Sequence, residues 1–434
     1  MTEQADKTLV VLIDGRRAGV ITEDQTGRLD FTYDPAWRAD RDATPLSLSM
    51  PLASRSHGDP VIRAFLWGLL PDSEQVLDRW ARTFHVSARN PFALLRHVGE
   101  DCAGAVQFTA PDRAEALLAG NGGIDPLDDT EIAERLRILR KDPAAWHMAK
   151  TGQFSLAGAQ AKTALHYDAE TQRWGAPWGA VPTTHILKPA VTGLDDHDLN
   201  EHLCLETARA VGLRVATSKV VSFGDERAVV VERYDRARAS DGRVRRVHQE
   251  DACQALAVPP TRKYQNEGGP APEQIVALLR QEIRPAVVAS ESVSSFVDAL
   301  AFNWIVGGTD AHAKNYSVLL SGGRVRLAPL YDIASALPYD DMYLPKLRMA
   351  MRIHDEYRLE WIRSRHWQRL AEHLDLDPDA VIARVDDLAA RVPGALAASV
   401  SAEAVRALDS HLPALLLDRV AARAHECRAR LATG

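Results

Sequence analysis

Cysteine is scarce in this chain of 434 residues, and it has no long apolar run. The four cysteines show no paired spacing, which favours reduced thiols over a disulfide framework or a zinc site. No apolar stretch approaches the ~18 residues of a membrane-spanning helix. The apolar run at residues 9–13 is too short for a secretion signal. The sequence therefore predicts a cytoplasmic protein that does not associate with membranes.

An excess of positive charge is also missing. The formal net charge is -7, so the chain as a whole is not built to coat nucleic acid. The hydrophobic fraction of 46% and the charged fraction of 26% are typical of globular proteins. The length predicts two or three domains, or one large unit with two lobes.

Several common catalytic motifs do not occur. There is no G-x-x-x-x-G-K-[ST] loop for phosphates and no G-x-S-x-G elbow for a nucleophilic serine. His312 has no second histidine or cysteine at ligand spacing, which argues against zinc. These absences disfavour Walker-type nucleotide binding, serine hydrolysis and zinc catalysis.

The pattern along the chain changes from strands to helices. Asp14 and Gly15 stand between two apolar runs, which predicts a hairpin over residues 8–22. Further strands are predicted at 29–33, 162–167, 184–188, 215–223 and 228–234. Helices are predicted at 61–86 with a restart at Pro71, and at 91–98, 128–141, 199–211, 249–257, 273–282, 292–306, 366–374, 378–390 and 412–431.

This order predicts an α+β, two-lobed, protein-kinase-like fold with an α/β N-terminal part and an all-helical C-terminal lobe. We expect four parts: an N-terminal α/β module at 1–110, a connector at 111–150, an ATP-binding sheet lobe at 151–240 and a helical lobe at 241–434.

A glycine-bounded loop carries the strongest chemical signal. Gly307 and Gly308 end an apolar helix, and Asp310 and Asn315 follow. A predicted strand–turn–strand then leads to Asp332. Phosphoryl transfer needs one Asp that orients or deprotonates the attacking hydroxyl, and an Asn and a second Asp that hold Mg²⁺. The spacing predicts that Asp310 is the catalytic base and that Asn315 and Asp332 are metal ligands.

Other residues fit the nucleotide. Lys188 ends an apolar strand and would reach the phosphates, fixed by Glu201 or, as the alternative, by Glu206. The segment from Glu232 to Tyr234 follows a hairpin, where an adenine-binding hinge is expected. A run of small residues ending in a lysine would let backbone N–H groups approach phosphate oxygens. It comprises Ala157, Gly158, Ala159, Gln160, Ala161 and Lys162.

Taken together, these motifs resemble those of HipA-type serine/threonine kinase toxins. The resemblance extends in order over about residues 8–430 and is carried by residues 45–52, 69–73, 104–106, 154–165, 183–188, 231–236, 249–251, 263–264, 268–270, 307–315 and 331–332.

The resemblance implies the toxin of a type II toxin–antitoxin pair. Such a kinase uses ATP and Mg²⁺ to phosphorylate an aminoacyl-tRNA synthetase, typically the glutamyl enzyme, and growth stops. It implies a HipB-like helix-turn-helix antitoxin as partner and autophosphorylation at Ser155 as an off-switch, because phosphate adds about −1.5 to −2 charge to the loop. It also implies that ATP is bound by residues 157–162, Lys188, Glu232, Arg233, Tyr234, His312, Lys314, Asn315, Tyr331 and Asp332.

Two departures from the family pattern matter. Ala161 replaces an acidic residue common in the phosphate loop, and residues 352–357 lack the lysines that touch operator DNA in the repressor complex. We therefore expect operator DNA to be contacted only through the antitoxin. Two alternatives stay open: a non-catalytic co-repressor bound to an antitoxin, and a kinase that acts on another protein or a small molecule.

Overall fold

A computed structural model describes residues 7–146, 154–191 and 193–433. The chain forms two compact units, each assembled from separated segments. The first unit contains Met1–Pro189, Val221–Thr261 and Val318–Val325. The second unit contains Ala190–Val220, Arg262–Ser317 and Arg326–Gly434.

The first unit begins with a five-stranded antiparallel sheet in the order β4-β3-β2-β1-β5. Asp14 adopts a left-handed φ of 48° and Gly15 one of 72°, which closes the turn between β1 and β2. One large apolar core fills the space between this sheet and its helices. The elements are β1 (Thr8–Ile13), β2 (Arg16–Glu23), β3 (Leu29–Tyr33), α1 (Pro35–Ala39), β4 (Ser56–Gly58), α2 (Asp59–Leu69), α3 (Glu74–Phe84), α4 (Pro91–Val98), β5 (Val106–Thr109) and α5 (Pro111–Leu118).

A second sheet has six strands in the order β10-β11-β9-β7-β8-β6. Its central strands carry apolar residues that pack against α6. The elements are β6 (Gly122–Leu127), α6 (Asp129–Lys141), β7 (Thr163–Asp168), β8 (Arg173–Gly179), β9 (His185–Pro189), α7 (His197–Ala210), β10 (Ser218–Phe223), β11 (Glu226–Glu232), β12 (Arg236–Arg238), β13 (Val244–Arg246), β14 (His248–Asp251) and α8 (Ala252–Ala255). Among these, α7 belongs to the second unit and β10 crosses the boundary.

The second unit is mainly helical. Its long central helix α10 is buried along most of its last eleven residues. The remaining elements of the chain are α9 (Pro272–Glu282), α10 (Ala286–Val306), β15 (Ser317–Ser321), β16 (Arg324–Leu327), β17 (Arg348–Ile353), β18 (Glu356–Arg358), α11 (Ser364–His373), α12 (Pro378–Val400), α13 (Glu403–Arg406) and α14 (Leu412–Ala432).

Most predicted elements are present, and two predictions need correction. The helix predicted at 249–257 is reduced to the single turn α8, and its first residues belong to strand β14. The C-terminal half is not entirely helical, since β17 and β18 form an antiparallel hairpin there. The helical stretch predicted at 61–86 is interrupted at Pro71 as expected, since α2 ends at Leu69 and α3 begins at Glu74.

The segment at 111–150 was predicted to be a connector. Within it β6 pairs with β8 at the edge of the six-stranded sheet, and α6 packs against β9 and β11. Residues 147–150 lie outside the described residues. The four-part division itself stays a prediction.

No helix in the described part of the chain is both long enough and apolar enough to span a bilayer.

Candidate active site

The loop that carries Asp310 is shaped by the end of α10. Gly307 follows the helix with a left-handed φ of 71°, a conformation that glycine adopts at little cost. A Cβ on Gly308 would lie 2.2 Å from Asn303 Oδ1. The chain therefore leaves the helix through a close approach that only glycine permits.

Asp310 lies exposed at the tip of this loop, with its carboxylate held from one side. The hydroxyl of Tyr264 donates a hydrogen bond of 2.5 Å to Asp310 Oδ1. Asn315 Nδ2 donates to the backbone oxygen of Asp310 at 2.7 Å, which fixes the loop across five residues. Sequence reasoning did not assign a role to Tyr264, although it lies in a motif that carries the family resemblance.

Asp332 lies on a segment anchored at both ends within the second unit. Before it, Leu330 N–H donates to Arg214 O at 2.8 Å. After it, Ser335 N–H donates to Asn200 Oδ1 at 2.9 Å. Asp332 itself has a left-handed φ of 59°, a conformation that Asp tolerates better than most residues. Such strain at a site residue is typical of functional positions.

A tyrosine joins the two parts of the site. The hydroxyl of Tyr331 donates to Lys314 O at 2.6 Å and lies 2.6 Å from Ser317 Oγ. The segment at 331–332 is thereby bound to the segment at 313–317. The second unit thus holds Asp310, Asn315 and Asp332 on loops that are hydrogen-bonded to one another or anchored to the helices.

His312 and Lys314 are buried, with 4% and 5% of their surface exposed. The His312 ring packs edge-on against Tyr264, with the ring centres 5.0 Å apart. This packing supports the Tyr264 side chain that holds Asp310.

No group of three or more His, Cys, Asp and Glu side chains among the described residues is arranged to hold a metal ion. The donor set at Asn315 and Asp332 consists of amide and carboxylate oxygens, which suit Mg²⁺. Because Asn315 Nδ2 is bound to Asp310 O, the amide oxygen is directed away from that bond. The donor chemistry therefore fits Mg²⁺ better than a softer metal.

In the first unit, the predicted phosphate loop leads directly into β7. Lys162 Nζ donates to Ala157 O at 2.8 Å and lies 5.2 Å from the Trp146 ring centre. Gly158, with φ of 106°, accepts a hydrogen bond at its backbone oxygen from Asp72 N–H at 3.0 Å. The loop is thus closed on itself and bound to the turn between α2 and α3.

Lys188 lies on β9, between β7 and β11 in the sheet. Its residue is buried, with 6% exposed. Gln160 Nε2 lies 3.4 Å from Pro189 O, so the phosphate loop contacts the end of the same strand. Lys188 lies in the first unit, whereas Glu201 and Glu206 lie in the second, and their pairing stays a prediction.

The predicted hinge follows β11. Glu232 is exposed, and Tyr234 donates from its hydroxyl to Gln249 Oε1. Arg233 is buried, and its guanidinium donates to Asp101, Asp235, Thr183 and Cys102 O. The backbone N–H of Arg233 also donates to Thr184 O at 2.9 Å. These bonds hold the Arg233 side chain in the protein interior, and its part in binding ATP stays a prediction.

Ser155 is fully buried in the first unit. Its hydroxyl donates to Leu69 O at 2.9 Å, and its N–H donates to Asp101 O at 2.9 Å. The neighbouring Phe154 and Leu156 are also buried. In this structure the serine therefore faces the protein interior.

Comparison with known proteins identifies the family. The model of the HipA-like C-terminal domain matches residues 154–396, and that of the HipA N-terminal domain matches residues 9–109. The chain belongs to the HipA family of toxin kinases. All of the predicted site residues lie within the match to the C-terminal domain.

Two relatives and one solved structure illustrate the similarity of this HipA-like chain to other members. A putative kinase of Sinorhizobium fredii, Y4mE, is 38% identical, with 96% of this chain and 98% of the relative covered. The serine/threonine-protein kinase toxin HipA of Shewanella oneidensis is 29% identical, with 84% and 82% covered. A structure of the Shewanella oneidensis MR-1 toxin–antitoxin system, HipA with HipB and operator DNA, matches with a TM-score of 0.78 and 27% identity over 97% of this chain and 99% of that one. These matches confirm the α+β kinase-like fold.

Proposed function

We propose that this HipA-like chain is the toxin of a toxin–antitoxin pair and acts as an ATP- and Mg²⁺-dependent serine/threonine protein kinase. The observation that carries the proposal is the Asp310 loop. An exposed carboxylate is held at one oxygen by Tyr264, which leaves the other oxygen for an acceptor hydroxyl. Asn315 is hydrogen-bonded to the same loop. It supplies the amide that phosphoryl transfer uses to hold a metal ion near the catalytic Asp.

In the proposed reaction, Asp310 orients the acceptor hydroxyl and takes up its proton. The hydroxyl oxygen then bonds to the γ-phosphorus, the bond from that phosphorus to the β–γ bridging oxygen breaks, and ADP leaves. Asn315 and Asp332 would hold Mg²⁺, which supplies positive charge to neutralise the phosphate oxygens. Lys188 and the 157–162 loop bind the phosphates, and the backbone at Glu232 and Tyr234 binds the adenine.

We propose that the acceptor is an aminoacyl-tRNA synthetase, with the glutamyl enzyme as the first to test. The purified protein should be incubated with labelled ATP, Mg²⁺ and a panel of synthetases. We expect label on one synthetase with the wild-type chain and none with Asp310→Ala, because that change removes the carboxylate. If label reaches neither a synthetase nor the chain itself, the kinase proposal is wrong.

Autophosphorylation at Ser155 is proposed as the way this kinase is switched off. The buried hydroxyl donates to Leu69 O, so a phosphate there would place two negative charges in an apolar setting. The loop would have to leave its place before or during modification. Mass spectrometry after incubation with ATP should detect phosphate on Ser155 and none in Asp310→Ala, whereas Ser155→Ala should keep transferring phosphate without self-inactivation.

We also propose a small helix-turn-helix antitoxin as partner. The similar Shewanella oneidensis HipA is seen with HipB and operator DNA, which supports this assignment. Co-expression with a helix-turn-helix protein encoded beside this chain should yield a complex and restore growth. Asp332→Asn separates a kinase from a non-catalytic co-repressor. It should end growth arrest while the complex with the antitoxin still forms.

A further inference from the structure

A short segment of the N-terminal part, residues 101–104, lies between α4 and β5 in the first unit. Asp101 is its charged member, with 5% exposed. One carboxylate oxygen of Asp101 accepts hydrogen bonds from the N–H and hydroxyl of Thr183, at 3.1 and 2.6 Å. The other accepts from Arg236 Nη2 at 2.9 Å. The Asp101 carboxylate is therefore bound on both oxygens.

The same segment holds the residues that follow β11. Gly104 N–H donates to Asp235 Oδ2 at 2.6 Å, and Arg236 Nη1 donates to Gly104 O at 2.8 Å. Arg233 Nη2 donates to Cys102 O at 2.7 Å. Bonds from both backbone and side chains of the 101–104 segment thus fix the position of residues 233–236, directly after Glu232.

The backbone of Asp101 reaches a second part of the sheet lobe. Its carbonyl oxygen accepts from Ser155 N–H at 2.9 Å, and Asp101 and Phe154 form an isolated parallel bridge. Three residues further on, Gly158 O is bound by Asp72 N–H, also from the N-terminal part. One residue therefore holds the hinge through its carboxylate and the start of the phosphate loop through its carbonyl.

The side chains of this cluster are charged and almost fully buried. Three guanidinium groups, of Arg233, Arg236 and Arg246, surround the carboxylates of Asp101 and Asp235. Burial alone would raise the pKa of Asp101, but the guanidinium groups of Arg236, Arg233 and Arg246 together hold it well below its usual range. Buried ion pairs contribute little net stability because desolvation offsets their attraction. Buried ion pairs form only when the charged groups are accurately placed, so this cluster fixes the position of the segments that carry them.

We propose that Asp101 is a positioning residue for the nucleotide, coupling the segment at 232–236, which contains the predicted hinge, to the segment at 154–162, which contains the predicted phosphate loop. The N-terminal part then contributes to ATP binding without touching ATP. This inference rests on the proposed kinase function, since it assumes that these two segments receive the nucleotide.

Thr183→Val tests the coupling with little change in shape. The Thr183 hydroxyl donates to Asp101 Oδ2 and accepts from Arg233 Nη1 at 2.8 Å, and valine removes both bonds. We expect faster amide hydrogen exchange at 232–236 and also at 154–158, although the two lost bonds join Thr183 to Asp101 and Arg233 and not to 154–158. Faster exchange at 232–236 alone, or at neither segment, overturns the proposal.

The kinetic test separates positioning from general damage. We expect Thr183→Val to raise KM for ATP about tenfold while kcat stays within about twofold, because charge-assisted bonds to the hinge are lost but the Asp310 loop is intact. Thr183→Ser restores a hydroxyl and should return KM to near the wild-type value. An unchanged KM in Thr183→Val, or an equal fall in kcat with no change in KM, contradicts the proposal.

Asp101→Asn is the stronger variant, and Glu100→Gln is its matched control. Glu100 is the neighbouring buried carboxylate, and it pairs with Arg113 at 2.6 Å and accepts from Thr109 Oγ1 at 3.5 Å. We expect Asp101→Asn to increase amide exchange and KM for ATP more than Thr183→Val does. Glu100→Gln should match the wild type in both measurements. If Asp101→Asn does not fold, the Thr183 variants decide. If the wild-type chain binds no ATP, the kinase proposal fails, and the exchange experiment still decides whether the two segments are coupled.

Discussion

At the scale of single residues, Tyr264 controls the geometry of the proposed catalytic base. Its hydroxyl lies 2.5 Å from Asp310 Oδ1, and its ring packs against His312. A hydrogen bond to a charged group is worth about 1.5–3 kcal/mol. We therefore expect Tyr264→Phe, which keeps the ring, to lower kcat by about 10- to 100-fold and to leave KM for ATP nearly unchanged.

Steady-state phosphorylation of the identified acceptor measures this effect. Thermal unfolding of the variant serves as the control, because the ring contact with His312 is kept and the fold should be preserved. A Tyr264→Phe enzyme with wild-type kcat would show that Asp310 is positioned by other contacts.

His248 makes the stability of the protein depend on pH. Its Nε2 lies 2.9 Å from Leu46 O, while Nδ1 accepts from Ala105 N–H at 3.5 Å. Burial lowers the pKa of His248 to about 4 from an ordinary value of 6.5. In the unfolded chain His248 is therefore protonated below about pH 6.5, whereas in the folded chain it is protonated only below about pH 4.

From this difference we expect the contribution of His248 to the free energy of unfolding to fall by about 2 kcal/mol between pH 7 and pH 5, and to be fully present above about pH 6.5. Urea unfolding at both pH values measures the fall. His248→Gln cannot titrate, so its fall over the same range should be smaller by that amount. Equal falls in the two proteins would contradict this assignment.

At the scale of elements, the end of α10 determines where Asp310 lies. Asn303 N–H and C=O are part of the helix end, and its carbonyl accepts from Gly308 N–H at 2.8 Å. Because a Cβ at Gly308 would lie 2.2 Å from Asn303 Oδ1, Gly308→Ala forces the loop or the buried Asn303 side chain to move. We expect the free energy of unfolding to fall by about 1–3 kcal/mol. We also expect the rate of phosphoryl transfer to fall, because the Asp310 loop is displaced.

Gly394→Ala is the matched control for this glycine. Gly394 lies in α12 with nothing within 4 Å of an added Cβ, so alanine should raise helix stability by up to about 1 kcal/mol. Urea unfolding and transfer assays on both variants make the comparison. Equal behaviour of the two alanine variants would mean that the close approach at Gly308 does not shape the loop.

At the scale of the whole molecule, the first unit is built from segments far apart in sequence. This unit contains the N-terminal part together with residues 154–189 and 221–261. Within it, strand β6 pairs with β8 along the whole length of β6. A fragment of residues 154–434 would lack β6, α6 and Asp101. It would leave the buried Arg233 and Arg236 without that carboxylate, and breaking such a pair typically costs about 3–5 kcal/mol.

We therefore expect this fragment to lack a cooperative thermal transition for its sheet lobe and to bind no ATP, although it contains every predicted site residue. Circular dichroism and nucleotide titration beside the full chain measure both properties. A fragment that folds cooperatively and binds ATP as the full chain does would show that the N-terminal part is dispensable for this lobe.

Local patterns predicted much of the fold and of the site. The hairpin at Asp14, the helix end at Gly307 and the loop from Asp310 to Asn315 depend on neighbouring residues, and these were foreseen. Tyr264 was missed because its partner Asp310 lies 46 residues away. The short β14 was mistaken for a helix because its pairing partner is distant strand β15, which a local pattern cannot reveal.

The sequence by itself determined the α+β kinase-like fold, the family and the candidate phosphoryl-transfer residues, because spacing and turn chemistry are local properties of the chain. The tertiary structure decided which residues support them. Asp101 meets Arg233 and Ser155, and Tyr264 meets Asp310, only after folding brings distant segments together. A buried charge is costly unless it is paired, so the fold must bring an opposite charge to it. Which residue becomes that partner depends on contacts between distant segments and cannot be read from the spacing along the chain.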